Sequence, residues 1–235
     1  MIMKKAVKVL CLSAIMFGIG TVAQAQFRHS IFLNGNIPTG DFASDASASI
    51  VPLGLEEIGR DANVGFGLGY RASYRFDVGM GLVAPYAGVD FLWNSIAGKW
   101  SDKYSESRFS TPTYINITIM AGVTYLYDEL PWNDITAYGE FGIGTDLLWI
   151  TTEGGELSGV NMEYSYTATF AFAWSLGLGA YFGEHVSAGL YYYGLGNHDV
   201  DYTDNTYKDH GLSKDIIKPS KRSVGSVMLR IGFHF

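Results

Sequence analysis

The chain has 235 residues, with 16 basic and 23 acidic side chains, and its formal net charge is −7. An acidic chain of this kind is a poor nucleic-acid binder. A single cysteine excludes a disulfide framework.

The first 25 residues have the pattern of a secretory signal peptide. Basic residues precede a short apolar run that ends in Ala23-Gln24-Ala25, a small-x-small cleavage pattern. The sequence therefore predicts a cleaved signal over 1–25 and a mature domain over 26–235. Cys11 lies within the signal. Removal of Lys4, Lys5 and Lys8 changes the net charge to 13 − 23 = −10.

Eight segments of the mature chain alternate between apolar and polar or small residues with the period of two that is typical of β-strands. In chain order they are SIFLNGN, NVGFGLGYRASYRF, GLVAPYAGVDFLW, YINITIMAGVTYLY, TAYGEFGIGTDLLW, EYSYTATFAFAWSLGLGAYF, HVSAGLYYYGL and SVMLRIGFHF. No stretch beyond the signal has the long apolar run of a membrane helix. The sequence thus predicts an all-β fold.

The connections between these segments are alternately long and short. Tight turns are expected at DVGM, DELPWND and GEH, and long loops include 41–61 and 197–222. This alternation is typical of an eight-stranded antiparallel up-and-down transmembrane β-barrel, with tight turns and both termini in the periplasm and long loops outside. The last strand, which ends on Phe235, would pair with the first and close the barrel.

A soluble ligand-binding barrel is the alternative fold. In such a barrel the bulky face would point inward. Here the bulky aromatic residues share one face and the charges and glycines share the other, and this arrangement favours a barrel whose apolar face contacts lipid.

The run FLNGNIPTGDF, the eight-strand meander and the ending RIGFHF resemble the small outer-membrane β-barrel proteins of the OmpA and OmpX type, often described as porin-like. In that family the C-terminal strand carries an assembly signal for the barrel-assembly machinery, and its pattern matches Arg230, Gly232, Phe233 and Phe235. The resemblance extends over the whole mature chain and is to the barrel domain alone. It does not include the peptidoglycan-binding domain of OmpA. It implies insertion among outer-membrane lipid and lipopolysaccharide but specifies no activity.

Six charged residues fall on the polar, inward face: Arg71, Arg75, Asp90, Glu140, Asp146 and Arg230. Their charges sum to zero, and an eight-stranded barrel is only wide enough for side chains to fill. Arg71, Glu140 and Arg230 are expected at one level, where Glu140 would pair with one or both arginines. We expect a paired plug, and a charge-lined conduit is the alternative.

Aromatic residues near the strand ends predict the limits of the lipid-facing band, because such rings favour the membrane interface. We expect Trp93, Trp149 and Tyr164 at the outer limit and Tyr74, Phe76, Tyr127, Phe182 and Phe233 at the inner limit. Pro85 lacks a donor for the strand ladder, so a bulge or local break is expected there.

Two weak motifs suggest chemistry. His185, Ser187 and Asp199 have a spacing similar to lipid A deacylases, but the barrel would put Asp199 at the opposite end from the other two. Asp199, Asp201 and Asp204 faintly resemble a calcium loop without its glycine and glutamate. We therefore expect no enzyme activity, no cofactor and no metal, although a weak divalent-ion site in this acidic loop stays an alternative.

These observations predict a monomeric, non-enzymatic outer-membrane protein with a plugged polar lumen that supports envelope integrity or surface adhesion. A narrow passive pore is the second hypothesis, and a lipid A-modifying enzyme is the third. The loops at 41–61 and 197–222 are the expected sites for an unknown surface ligand, and no nucleic-acid partner is expected.

Overall fold

The computed structural model describes residues 27–43, 62–96, 110, 112–127, 134–157, 160–205 and 216–235. The predicted signal peptide and most of the predicted loop 41–61 lie outside these ranges. Within the described ranges there is no helix long and apolar enough to cross a membrane.

The described residues form a closed antiparallel barrel. Its strands are β1 (Phe27–Gly40), β2 (Ala62–Tyr74), β3 (Phe76–Asp77), β4 (Leu82–Ile96), β5 (Thr113–Tyr127), β6 (Ile135–Ile150), β7 (Glu153–Leu157), β8 (Val160–Tyr166), β9 (Thr169–Phe182), β10 (Val186–Asp204) and β11 (Ile216–His234). Since β3, β7 and β8 continue neighbouring strands, the chain makes eight passes in the order β1-β2-β4-β5-β6-β9-β10-β11. Strand β11 pairs back onto β1 from Ser30↔His234 to Gly40↔Val224, which closes the barrel.

The outer face of the barrel is apolar. Phe66 and Phe172 expose 66% and 64% of their surface, whereas the alternate residues of the same strands are buried. Other exposed members of this face are Ile31, Leu33, Leu68, Ile119, Phe141, Ile143, Leu176, Leu178, Leu190, Leu229, Ile231 and Phe233. A water-soluble barrel has the opposite distribution, so the predicted eight-stranded transmembrane fold is confirmed.

The two ends of the barrel differ. The end that we call the turn end carries Phe27, Phe235 and the short connections at 78–81 and 183–185. Gly81 and Gly183 take positive φ angles of 123° and 65° in these turns, a conformation that glycine adopts without a steric penalty. The opposite end, which we call the loop end, carries the connections at 41–61, 97–112 and 205–215.

A small sheet extends the barrel at the loop end. Strand β10 continues past its barrel partner to pair with β8 at Tyr202↔Tyr166, and β8 pairs with β7. The same part of β10 also pairs with β11 up to Thr203↔Ile216. We call β7, β8 and these ends of β10 and β11 the loop-end sheet.

The loop-end sheet corrects three predictions. Most of the predicted loop 197–222 is strand, and Asp199, Asp201 and Asp204 lie in β10 rather than in a calcium-type loop. The sixth predicted segment is two strands, β8 and β9. Tyr164 belongs to β8 and is buried, so it does not mark the lipid interface. A strand that lies beyond the membrane has no lipid-facing side, so its sequence need not show the long apolar alternation on which the prediction depends.

Pro85 leaves the β4–β5 register unbroken, at Pro85↔Val123. The interruption lies on the other side of β4. There the pairing with β2 ends at Ser73↔Tyr86 and resumes with β3 at Phe76↔Val83. The break is therefore opposite the residue that lacks an N–H donor, and no bulge forms in β4 itself.

The other predicted interface aromatics lie on the outer face. At the loop end Trp149 is 49% exposed, and Trp93 stacks between Phe66 and Phe91 at ring distances of 5.5 and 6.2 Å. At the turn end Tyr74 packs edge-on against Phe76, and the remaining members, Tyr127, Phe182 and Phe233, are exposed.

Candidate functional site

The lumen of the barrel is filled by side chains from all eight passes. Toward the loop end it is mixed. Leu92, Tyr114, Leu148 and Leu195 are almost fully buried there, and so are Asn36, Asn94 and Asn116. Phe42 lies over this layer and packs edge-on against Tyr114 with ring centroids 5.0 Å apart. The described interior is therefore polar in the middle of the barrel and at the turn end, and it combines polar and apolar side chains in this layer.

The first ion pair in the lumen joins Arg71 of β2 to Glu140 of β6. Nη1 of Arg71 donates to Oε2 of Glu140. The same carboxylate oxygen accepts from Thr124 Oγ1 at 3.2 Å and from the Tyr191 hydroxyl at 3.4 Å. The guanidinium lies over the ring of Tyr86, 3.8 Å from its centroid. Charge and ring contacts together hold Arg71 in the centre of the barrel.

The second ion pair joins Arg230 of β11 to Asp90 of β4. Arg230 donates from Nη2 to Asp90 Oδ1 at 2.7 Å and from Nε to Asn34 Oδ1 at 2.8 Å. Asn34 in turn donates to Asp90 Oδ1 at 3.2 Å, and Tyr193 donates to Asp90 Oδ2 at 2.9 Å. Glu140 thus pairs with Arg71 and not with Arg230, whose Nε and Nη2 donate to Asn34 and Asp90 and whose Nη1 has no hydrogen-bond partner among the described residues.

A third buried pair involves Asp146, which faces a histidine rather than an arginine. Oδ2 of Asp146 lies 3.2 Å from Nε2 of His198, and both side chains have no exposed surface. Thr118 Oγ1 donates to Asp146 Oδ1 at 2.8 Å. On the other side of the ring, His198 Nδ1 lies 3.0 Å from Thr169 Oγ1. These contacts lie where β10 leaves the barrel for the loop-end sheet.

The three residues of the predicted hydrolytic motif do not meet. Ser187 Oγ lies 2.8 Å from Nε2 of His234, whose Nδ1 is 2.7 Å from Ser30 Oγ. His185 instead contacts the His234 backbone carbonyl through Nδ1, at 3.0 Å. Asp199 pairs with Lys221 in the strand register at the loop end. Ser187 is buried and has no carboxylate behind its histidine, so this cluster lacks the arrangement of a Ser-His-acid triad.

Glycines let the lumen tyrosines lie across the barrel. A Cβ on Gly142 would come within 2.4 Å of the Tyr86 hydroxyl, and one on Gly177 within 2.2 Å of the Tyr191 ring. Any larger residue at these positions would displace the rings. The free volume that remains near Arg71, Tyr138 and Tyr191 is about 10 Å³, which is about one water molecule.

The remaining predicted residues lie at the turn end or on the last strand. Arg75 faces the mouth of the lumen, with its guanidinium 4.9 Å from the centroid of the Tyr181 ring. Gly232 is buried, and Phe233 and Phe235 are exposed on the outer face. No group of three or more potential metal ligands occurs within the described ranges.

Sequence comparisons find no matching family model and no matching curated protein. Among solved structures, the barrel is similar to a major outer membrane protein from Thermus thermophilus, at 13% identity and a TM-score of 0.50, over 89% of this chain and 100% of that chain. Neisserial surface protein A matches at 12% identity and a TM-score of 0.46, over 90% and 98% of the two chains. The attachment invasion locus protein Ail of Yersinia pestis matches at 14% identity and a TM-score of 0.42, over 91% of this chain and 100% of that chain. The chain is therefore an integral membrane β-barrel with the fold of the small eight-stranded outer-membrane barrels.

Proposed function

We propose that this chain is a non-enzymatic outer-membrane protein whose lumen is sealed and whose loop end acts at the cell surface, in envelope integrity or in adhesion. The observation that carries the proposal is the closed lumen. Arg71–Glu140 and Arg230–Asp90 cross it, and a layer of buried side chains under Phe42 fills it toward the loop end. The cavity beside Arg71 and Tyr138 has about 10 Å³ of free volume, which is room for about one structural water molecule.

The loop-end sheet supports a role at the surface. It extends β10 to Asp204 and begins β11 at Ile216, so an ordered platform stands beyond the barrel wall. Its exposed edge carries charges of both signs, among them Asp199 and Lys221, which face each other in the register. Residues that bind a partner are often carried on such segments beyond a rigid scaffold. In this orientation both termini face the periplasm.

A narrow passive pore is the alternative, and it would need the two ion pairs to separate. A lipid A-modifying enzyme has less support, because Ser187 is buried beside His234 without an acid. An assay of lipid A hydrolysis tests this last alternative directly. Hydrolysis by the wild type that is lost in Ser187→Ala would replace the present proposal with the enzyme.

Shortening of the loop-end sheet tests the surface role. A variant that joins β10 to β11 by a short turn in place of residues 201–218 should keep the folded barrel, because the barrel pairings end at Val224 and Gly194. We expect cells that carry this variant to lose surface attachment or detergent resistance as fully as cells that lack the protein. Full retention of both properties by the shortened variant would contradict a role of this sheet.

A further inference from the structure

Among the described inward-facing residues at the turn end, one cation has no anionic partner. Arg71 pairs with Glu140 and Arg230 with Asp90 in the middle of the barrel, and Arg28 at the turn end lies 4.0 Å from Glu184 and donates to its carbonyl at 2.7 Å. Among the described residues, Arg75 makes no ion pair or hydrogen bond, and its guanidinium lies over the ring of Tyr181. A half-buried guanidinium with a free hydrogen-bonding fork is suited to a carboxylate or phosphate.

The surroundings of Arg75 provide further donors. Arg75, Arg71, Ser73 and Tyr181 line one cavity at the mouth of the lumen, together with Ser30 and Ser187. Arg71 donates to Glu140 through Nη1, and its other guanidinium N–H groups make no hydrogen bond to the described residues. The carboxylate in the wall, Glu140, is held through Oε2 by Arg71, Thr124 and Tyr191, and its buried Oε1 has no hydrogen-bond partner among the described residues, so the two arginines leave this lining with a net charge of +1. The cavity therefore presents a cationic and hydroxyl-rich lining.

We propose that the turn-end mouth of the lumen is an oxyanion-binding site in which Arg75 is the principal ligand-binding residue and Ser73 and Tyr181 contribute hydroxyl groups. The free volume of about 10 Å³ admits one oxygen atom between these side chains. The remainder of the ligand would stay at the opening. The chemistry suits a phosphate or carboxylate group, either free or on a lipid headgroup, that reaches the barrel from the turn end. The site lies at the opposite end from the loop-end sheet and does not depend on the proposed surface role.

Binding of inorganic phosphate to the full mature chain in phosphatidylcholine nanodiscs tests this site. Isothermal titration calorimetry should show saturable, one-to-one binding to the wild type. Arg75→Gln should weaken that binding about tenfold or more, since a hydrogen bond to a charged group is worth roughly 1.5–3 kcal/mol. Arg75→Lys, which keeps the charge but loses the fork, should retain intermediate affinity. Acetate in place of phosphate tests the carboxylate case.

Arg28→Gln is the matched control, because it removes the same charge from the same end of the barrel and leaves Arg75 in place. Its phosphate affinity should stay within about twofold of the wild type, as screening weakens interactions between groups that are not in contact. Repeating the titration in phosphatidylglycerol nanodiscs distinguishes a lipid headgroup from a free anion as the natural ligand. Weaker phosphate binding there identifies the lipid headgroup as a competitor, and equal binding identifies a soluble anion.

Two results would overturn the site. One is the absence of saturable binding of both phosphate and acetate to the folded wild type. The other is an equal loss in Arg28→Gln and Arg75→Gln, which would mean that net charge at this end, and not the Arg75 fork, attracts the anion. A heat-shift assay on gels, which separates folded from unfolded barrel, confirms that each variant is folded before titration.

Discussion

Arg230 and Asp90 are 140 residues apart in the chain, and Nη2 of one lies 2.7 Å from Oδ1 of the other across the lumen. Strands β1 and β2 separate β11 from β4 in the sheet order. Arg71 and Glu140 repeat this arrangement between β2 and β6, with β4 and β5 between them. Each pair thus ties distant walls of the barrel together, which a hydrogen bond between neighbouring strands cannot do.

Removal of Glu140 should destabilise the barrel or admit water. Glu140→Ala leaves the Arg71 guanidinium buried without its anion, at a cost of about 3–5 kcal/mol unless water enters to solvate it. Urea unfolding in detergent micelles measures the change. Glu184→Ala is the control, since this carboxylate is 79% exposed and a surface ion pair is worth at most about 1 kcal/mol. Equal stability of both variants and the wild type would contradict the paired plug.

The partners of the two lumen carboxylates predict their energetic coupling. Arg230 and Asp90 contact each other directly, so a double-mutant cycle of Arg230→Met and Asp90→Leu should show a coupling of about 1 kcal/mol or more. Asp90 and Glu140 do not share an arginine, so the cycle of Asp90→Leu with Glu140→Leu should show a smaller coupling. Unfolding free energies of the four species in each cycle provide the measurement. A larger coupling between the carboxylates would show that the assigned pairs are wrong.

The sequence is sufficient to predict which residues face inward but not which of them pair. Period two fixes the face of Asp90, Glu140 and Arg230, because a strand has no other way to orient alternate side chains. Pairing depends on the stagger of distant strands, and an error of two residues moves a side chain by about 7 Å along the barrel. That is why the sequence predicts that Glu140 pairs with Arg71, Arg230 or both, whereas the structure has the pair with Arg71 alone and places Arg230 on Asp90.

His198 should hold the loop-end sheet to the barrel. Its ring contacts Asp146 of β6, Thr169 of β9 and the Leu195 carbonyl of the β10 irregularity, at 3.2, 3.0 and 3.0 Å. His198→Phe keeps an aromatic ring at this position and removes the polar contacts of the imidazole nitrogens. We expect faster amide hydrogen exchange in β8 and in residues 200–204, with the barrel pairing of β9 and β10 unchanged. Unchanged exchange in β8 would contradict this role.

Substitution of a lumen glycine by alanine should destabilise the barrel more than the same substitution of a lipid-facing glycine. A Cβ on Gly144 would come within 1.9 Å of the Ile119 carbonyl oxygen, which belongs to the backbone and cannot move aside. Gly144→Ala should therefore cost roughly 1–3 kcal/mol of unfolding free energy. On the outer face of β1, Gly35 has no atom within 4 Å of such a Cβ, so Gly35→Ala is the matched control. A neutral effect of both substitutions would show that the lumen is loosely packed.

The alternation of apolar and polar residues in the sequence does not predict the loop-end sheet or the position of His198. Val200 and Tyr202 alternate with Asp199, Asp201 and Thr203, but this run is short and acidic, and the sequence therefore predicts a loop there. His198 lies two residues after Gly196, whose φ of 90° accompanies the register shift in β10. A shift of this kind changes which face later residues occupy, and the periodic pattern does not record it.

Ion conductance in planar lipid bilayers tests the sealed lumen most directly. We expect the purified wild-type barrel to show no steady openings, because Arg71–Glu140, Arg230–Asp90 and the layer under Phe42 obstruct the lumen among the described residues. Glu140→Ala, measured in parallel, should show either openings or lowered stability. Steady, ohmic openings of the folded wild-type protein would contradict the account and would make the narrow pore the better description of this chain.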